Sequence, residues 1–314
     1  MDLNADEVKI IEGKFTKKYI IVEKMFSIKL PAGLYIDGEI HDMEQLMYIL
    51  KKALLENEVH LGNVYGVVNS TKIIMREVSI PRIEENLVQS ILSYQLADYL
   101  PVNPEEYVIE YMPVGDTLED GVEKLIILLI CIPKKIVESH LDLFKNINLR
   151  PQVLDFTGNV INKLIYYNGN IDNQHNKENT IACIDLENES IGLTITQNGI
   201  IKVSRVIEIE KDVSSSALQE FKSVSGLEVN LNKIFEGIGM VFDYFLTREK
   251  DNNIDLILLY GTMADIEGID QLFSNYFGEP CMILKKLNKV RSNGEITRYA
   301  NSIGALIRIG GLKK

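Results

Sequence analysis

The sequence predicts an α/β protein of two related lobes, and three observations carry that reading. Residues 181–206, IACIDLENESIGLTITQNGIIKVSRV, divide into three β-rich segments, 181–186, 191–197 and 200–206, joined by two tight turns. The chain opens on the same grammar, MDLNADEVKIIEGKFTKKYIIVEKM, so that Asp2-Leu3-Asn4 echoes Asp185-Leu186-Glu187. Each opening then gives way to alternating amphipathic helices and apolar strands. A strand that ends in Asp and enters a tight turn aims a carboxylate and backbone N–H groups into a cleft, the geometry of a phosphate and metal site. The position after Asp-Leu then favours Gly, which lets backbone approach a phosphate with no side chain in the way. Here it holds Asn4 and Glu187.

At 314 residues the chain is long enough for two cores, and 46% hydrophobic content with mean hydropathy near zero is that of a soluble globular protein. Cys131, Cys183 and Cys281 each lie in an apolar, strand-like run, as reduced core cysteines of a cytoplasmic protein do. His41, His60, His140 and His175 are scattered without ligand spacing, so no metal site is expected. The longest apolar run, 125–132, is far shorter than the roughly 20 residues that span a bilayer, and no direct membrane insertion is expected. A net charge of −12 argues against nucleic acid and against adhesion to anionic lipid, and suits a basic partner segment.

Residues 42–56 form an amphipathic helix with Met43, Leu46, Met47, Leu50 and Leu54 on one face, and 64–69 read as a buried strand. Residues 72–80 alternate as a further strand of this core. Pro81 stops that strand; a helix over 84–99 ends at Pro101 and Pro104. Strands 108–113 and 125–132 flank an acidic turn (Asp116, Glu119, Asp120, Glu123), and a helix from 134 to about 146 and a strand over 150–155 follow. Residues 80–151 are thus expected as a small subdomain inserted in a first lobe, 1–178. The Asn-rich stretch 168–180 separates it from a second lobe, 179–295. There, helices 215–225 and 231–248, strand 255–260, helix 266–277 and strand 282–287 precede a last helix from 296, with 296–314 packing back on the core.

Two such lobes resemble the actin/sugar-kinase/chaperone ATPase superfamily, an actin-like fold of ribonuclease H-like lobes. The stretch IPRIEENLVQSILSYQLADYLPVNPEEYVIEYMPVG is similar to the signature of the type IV pilus assembly protein PilM family: a turn at Pro, an acidic helix, a Tyr-Leu-Pro stop, a Pro-Glu-Glu step and a strand. Leu149-Arg150-Pro151-Gln152-Val153-Leu154-Asp155 resembles the family's strand return, and Asn301-Ser302-Ile303-Gly304-Ala305-Leu306 its C-terminal helix. The resemblance implies an FtsA-like placement of the subdomain and a cytoplasmic adaptor at the inner membrane. It further implies that the adaptor binds the N-terminal tail of a PilN-like membrane protein and links it to pilus motor ATPases. The tail would lie in a groove between the core of lobe one and the subdomain, walled by Arg76 and Val78 and by Asn86, Leu87, Ser90, Ile91, Tyr94 and Gln95; packing within the subdomain is the competing role for each.

The superfamily's first phosphate turn, Asp-x-Gly-[Ser/Thr] followed by Lys, is met by Asp2, Asn4 and Lys9, and its second, Asp-x-Gly, by Asp185 and Glu187. The adenine-side turn keeps Gly261 but has Thr262 for the second Gly, and the Ala-Glu-x-x-Lys element keeps Lys222 with Gln219 in place of Glu. All four elements are damaged, so the expectation is a vestigial nucleotide site, no catalytic residue, and ATP with Mg²⁺ bound weakly or not at all. Two rivals stand beside it: a working ATP-binding or hydrolysing member of the superfamily, and an FtsA-like filament protein that self-associates at the membrane.

Overall fold

The computed structural model describes residues 1–308 apart from 17, 85–86, 89, 93–102, 173, 210–227 and 249–251. Lobe one holds β1 (Asp2–Leu3), β2 (Glu7–Phe15), β3 (Ile20–Lys29), the short pair β4 (Tyr35–Ile36) and β5 (Glu39–Ile40), α1 (Met43–Glu56) and β6 (Asn63–Val68). An inserted unit carries β7 (Ile74–Pro81), β8 (Tyr107–Glu119) and β9 (Val122–Pro133). The chain returns through α2 (Lys134–Asn146), β10 (Arg150–Phe156) and α3 (Thr157–Asn168). Lobe two has β11 (Thr180–Leu186), β12 (Ser190–Gln197), β13 (Ile200–Glu208), α4 (Glu228–Arg248), β14 (Leu256–Tyr260), α5 (Ile269–Phe277) and β15 (Cys281–Ile283). Then come β16 (Val290–Arg291) and α6 (Ile296–Ala305).

The duplication read from the two Asp-Leu segments is a duplication of topology. Lobe two is ordered β13-β12-β11-β14-β15, and lobe one repeats this as β3-β2-β1-β6-β10, with β16 added beyond β3. In both, three antiparallel strands are followed by two parallel ones. The hydrophobic faces stack these sheets into layers. Leu46 and Leu50 of α1 and Leu143 and Phe144 of α2 cover the outer face of sheet one with Val8 and Ile10. Ile238, Phe242 and Phe273 of α4 and α5 cover the outer face of sheet two. Between the sheets lie α3 and α6, joined through Ile161, Ile165, Ala300 and Ile303. They cross so closely that a Cβ on Gly304 would sit 2.3 Å from the carbonyl oxygen of Val160.

The inserted unit differs from the expected 80–151. Strand β7 pairs with β9, outside the core sheet, because Val78 and Ile80 need the cover of helical residues Val88 and Leu92. Helix α2 and β10, in contrast, belong to lobe one, where β10 runs parallel to β6. The acidic stretch 116–123 is mostly strand; only Asp120 and Gly121 turn, with φ of 51° and 78°, the left-handed pair of a tight hairpin. The strand expected over 282–287 shortens to β15, and α6 stops at Ala305. The helix expected over 215–225 lies outside the described residues.

The α3–α6 crossing yields a direct check. Gly304→Ala is expected to lower the unfolding free energy by about 1–3 kcal/mol in urea titrations, since the extra methyl meets fixed backbone. An unchanged midpoint would mean the two helices can slide apart.

Candidate functional site

The two Asp-led turns face one another across the cleft. They are built alike: Asn4 N–H donates to the carbonyl of Glu7 at 2.9 Å, and Glu187 N–H to that of Ser190 at 3.2 Å. Asp2 and Asp185 end the equivalent strands β1 and β11, where each is fully buried. Burial pushes the Asp2 carboxyl up to about 6, against the pull of Lys9. Burial, and then the charge of Glu187, hold Asp185 well above the carboxylate range; Asn301 on α6 donates to its Oδ2 at 2.6 Å. Gly261, at φ 96°, follows β14 and lies so close that a Cβ would be 2.5 Å from Asp185 Oδ1. The retained glycine therefore serves this contact within lobe two.

Lys9 extends from β2 of lobe one to Glu187 of lobe two as a fully buried ion pair. Thr262 closes the same knot: its Oγ1 lies 2.8 Å from Glu187 Oε2 and 2.9 Å from Glu7 Oε1, and its N–H donates to Glu187 Oε1 at 3.3 Å. Arg298 on α6 pairs with Glu7 at 2.5 Å. Burial alone would lower the Lys9 ammonium, yet Glu187, Asp2 and Asp185 together hold it above its ordinary value. Burial likewise pushes Glu7 up, but Lys9 and Arg298 outweigh it and hold it below the usual range. Across the mouth, Asn188 donates to Asp6 at 2.5 Å. The negative charge of Glu187 is thus offset by Lys9.

These residues do not fit a nucleotide phosphate. The one lysine at the turn is engaged by Glu187, and the N–H and hydroxyl of Thr262 donate to the same carboxylate. A phosphate brought here would meet two carboxylates where it needs donors. Asn4 is buried beside Asp2. Lys222 lies outside the described residues. Sequence reading found Asp2, Asn4, Lys9, Asp185, Glu187, Gly261 and Thr262, which the fold brings together, and missed Glu7, Arg298 and Asn301.

Of the residues assigned to a partner groove, the described ones face in different directions. Val78 is buried in the subdomain's own core, because strand alternation turns it under the helix with Ile80. Leu87, half exposed, and Ser90 and Ile91 form a stripe on the helix. Arg76 is exposed and faces a bay toward lobe two. Asn86, Tyr94 and Gln95 lie outside the described residues.

Two duplicated lobes meeting at Asp-led turns define the actin-like class. Comparison with known proteins narrows it. The family described as type IV pilus assembly protein PilM matches residues 1–208. The solved structure of a PilM-PilN type IV pilus biogenesis complex is similar over 98% of this chain and 98% of its own, at 16% identity and a TM-score of 0.80. The ethanolamine utilization protein EutJ from Carboxydothermus hydrogenoformans is similar over 97% and 87%, at 10% identity and a TM-score of 0.55. The chain belongs to the type IV pilus assembly protein PilM family.

Two outcomes test this geometry. Glu187→Leu leaves buried Lys9 only its longer, 3.7 Å pair with Glu7 and is expected to cost about 3–5 kcal/mol in denaturant unfolding, whereas Lys9→Met with Glu187→Leu costs much less. Equal losses in both would mean the pair contributes nothing. Asp2, raised to about 6 in the fold, takes up protons on folding between its unfolded value near 3.8 and 6, so its contribution to stability falls as pH rises through that window. Asp2→Asn is therefore expected to stabilise the protein by about 1–3 kcal/mol at pH 7.5 and to leave it unchanged near pH 3.5. The reverse trend would mean a carboxylate held by donors.

Proposed function

We propose that this chain is a cytoplasmic adaptor of a type IV pilus assembly machine. It is held at the inner face of the membrane by the cytoplasmic tail of a PilN-like protein and links that protein to the motor ATPases. The observation that carries this reading is the family match over residues 1–208, and likeness across the whole chain to a PilM of known structure agrees with it. In this reading the inserted sheet of β7, β8 and β9 takes the FtsA-like position, and the Leu87, Ser90 and Ile91 stripe contributes to tail capture. No helix among the described residues is long and apolar enough to cross a membrane, so attachment through a partner is the route proposed.

The adaptor works without nucleotide turnover in this proposal, because Glu187 occupies the donor set that a phosphate would use. The Lys9–Glu187 pair then holds the lobes together where nucleotide would otherwise do so, and no catalytic residue is assigned.

Calorimetric titration with Mg-ATP and with ADP is expected to give no heat up to about millimolar ligand, an affinity weaker than about −4 kcal/mol. Micromolar binding would overturn the nucleotide-free reading. Separately, Leu87→Glu is expected to weaken capture of a synthetic PilN-like tail about tenfold or more with unfolding unchanged. Full capture would move the tail site elsewhere.

A further inference from the structure

A bay of about 390 Å³ opens between the inserted subdomain and lobe two, apart from both the nucleotide turns and the helix stripe. Among the described residues four cations line it: Arg76 on β7, Lys202 and Arg205 on β13, and Arg248 on α4. Among the described residues its one lining carboxylate, Glu77, pairs with Arg248 at 3.0 Å. The sign is inverted relative to a chain with 45 acidic and 33 basic side chains. Leu128, Val203 and Tyr244 add apolar lining, and a second space of about 270 Å³ shares Met75, Ser204 and Arg205 with the first. Together they make an elongated slot.

Its two sides are strand edges. β7 is the outer strand of the β7-β9-β8 sheet and β13 the outer strand of lobe two, so among the described residues each edge has no strand beyond it. The register of β13 against β12 slips between Ile201 and Val203, which makes Lys202 the extra residue of a bulge. Bulges re-aim side chains, and this one contributes a cation to the slot. Arg205 uses one guanidinium N–H on the carbonyl of Ser204, leaving further donors in its fork.

We propose that this slot binds an acidic peptide segment of a partner protein in extended conformation. The segment's main chain would lie along the β13 edge, and its carboxylates would meet Lys202, Arg205 and Arg76. Strand addition supplies the affinity of such a site, and the cations supply register and choice of partner. A nucleic acid or an anionic membrane is disfavoured, because either extends beyond the bay over a surface of net charge −12.

The test uses the full chain and fluorescence anisotropy of a short labelled peptide of alternating Glu and Thr. Saturable binding is expected, reduced about tenfold or more by Lys202→Glu with Arg205→Glu and by about 0.5 M salt, with no binding of the Lys–Thr counterpart. Lys202→Gln with Arg205→Gln, which adds no charge, should weaken binding less, and it decides the matter if the reversal variant misfolds. Capture of the PilN-like tail is expected to be unchanged in both variants, so failure here is separable from failure of the tail assignment. Absence of saturable peptide binding, or binding indifferent to both variants, overturns the proposal. So does tighter, Lys202- and Arg205-dependent binding of single-stranded DNA or phosphatidylglycerol vesicles.

Discussion

The pairing of Lys9 with Glu187 is the constraint on which the arrangement of the lobes depends. A lysine with no solvent exposure is tolerable only when an opposite charge is fixed against it, and here that charge comes from the other lobe. Once Lys9 reaches across, Thr262 donates its N–H to Glu187 and holds its hydroxyl, with one hydrogen to give, between Glu187 and Glu7, and Arg298 can meet Glu7 from the interlobe helix α6. Closure of the cleft is therefore written into covalent structure. A bound ligand doing the same task would make closure depend on concentration.

The duplicated fold explains why such a knot can form. Asn4 and Glu187 occupy corresponding positions in two turns of the same backbone pattern. A long carboxylate at one of them spans to the opposing strand; the shorter Asn at the other stays beside Asp2. The asymmetry between these two residues separates a cleft able to receive an anion from one that supplies its own.

Much of the architecture was legible in the sequence because its period was strong. The alternation in 181–206 and in the opening strands locates both hairpins, and Leu46, Leu50 and Leu54 locate α1. The Asp-Leu repeat identifies the facing turns. The partners of those turns were not legible: Glu7 and Arg298 are separated by 291 residues, and each reads in sequence as an ordinary surface charge. Glu187 read only as a damaged phosphate turn for the same reason, its lysine lying 178 residues away. β7 was misplaced because alternation specifies a strand but not which sheet receives it, and β16, two residues long, carries no pattern at all.

That short strand bears on how the protein is made. Val290 and Arg291 extend the sheet of lobe one beside Ile20 and Ile21, and α6 then fills the layer between the sheets. The first lobe to leave the ribosome thus lacks its edge strand, and one of its two covering layers is incomplete until β16 and α6 have been translated. At about 5–20 residues per second that interval lasts several seconds, during which the β3 edge and the apolar faces of Ile11 and Val22 stay uncovered. Lobe order along the chain is sequential, but completion runs backwards, with a segment that follows lobe two sealing lobe one.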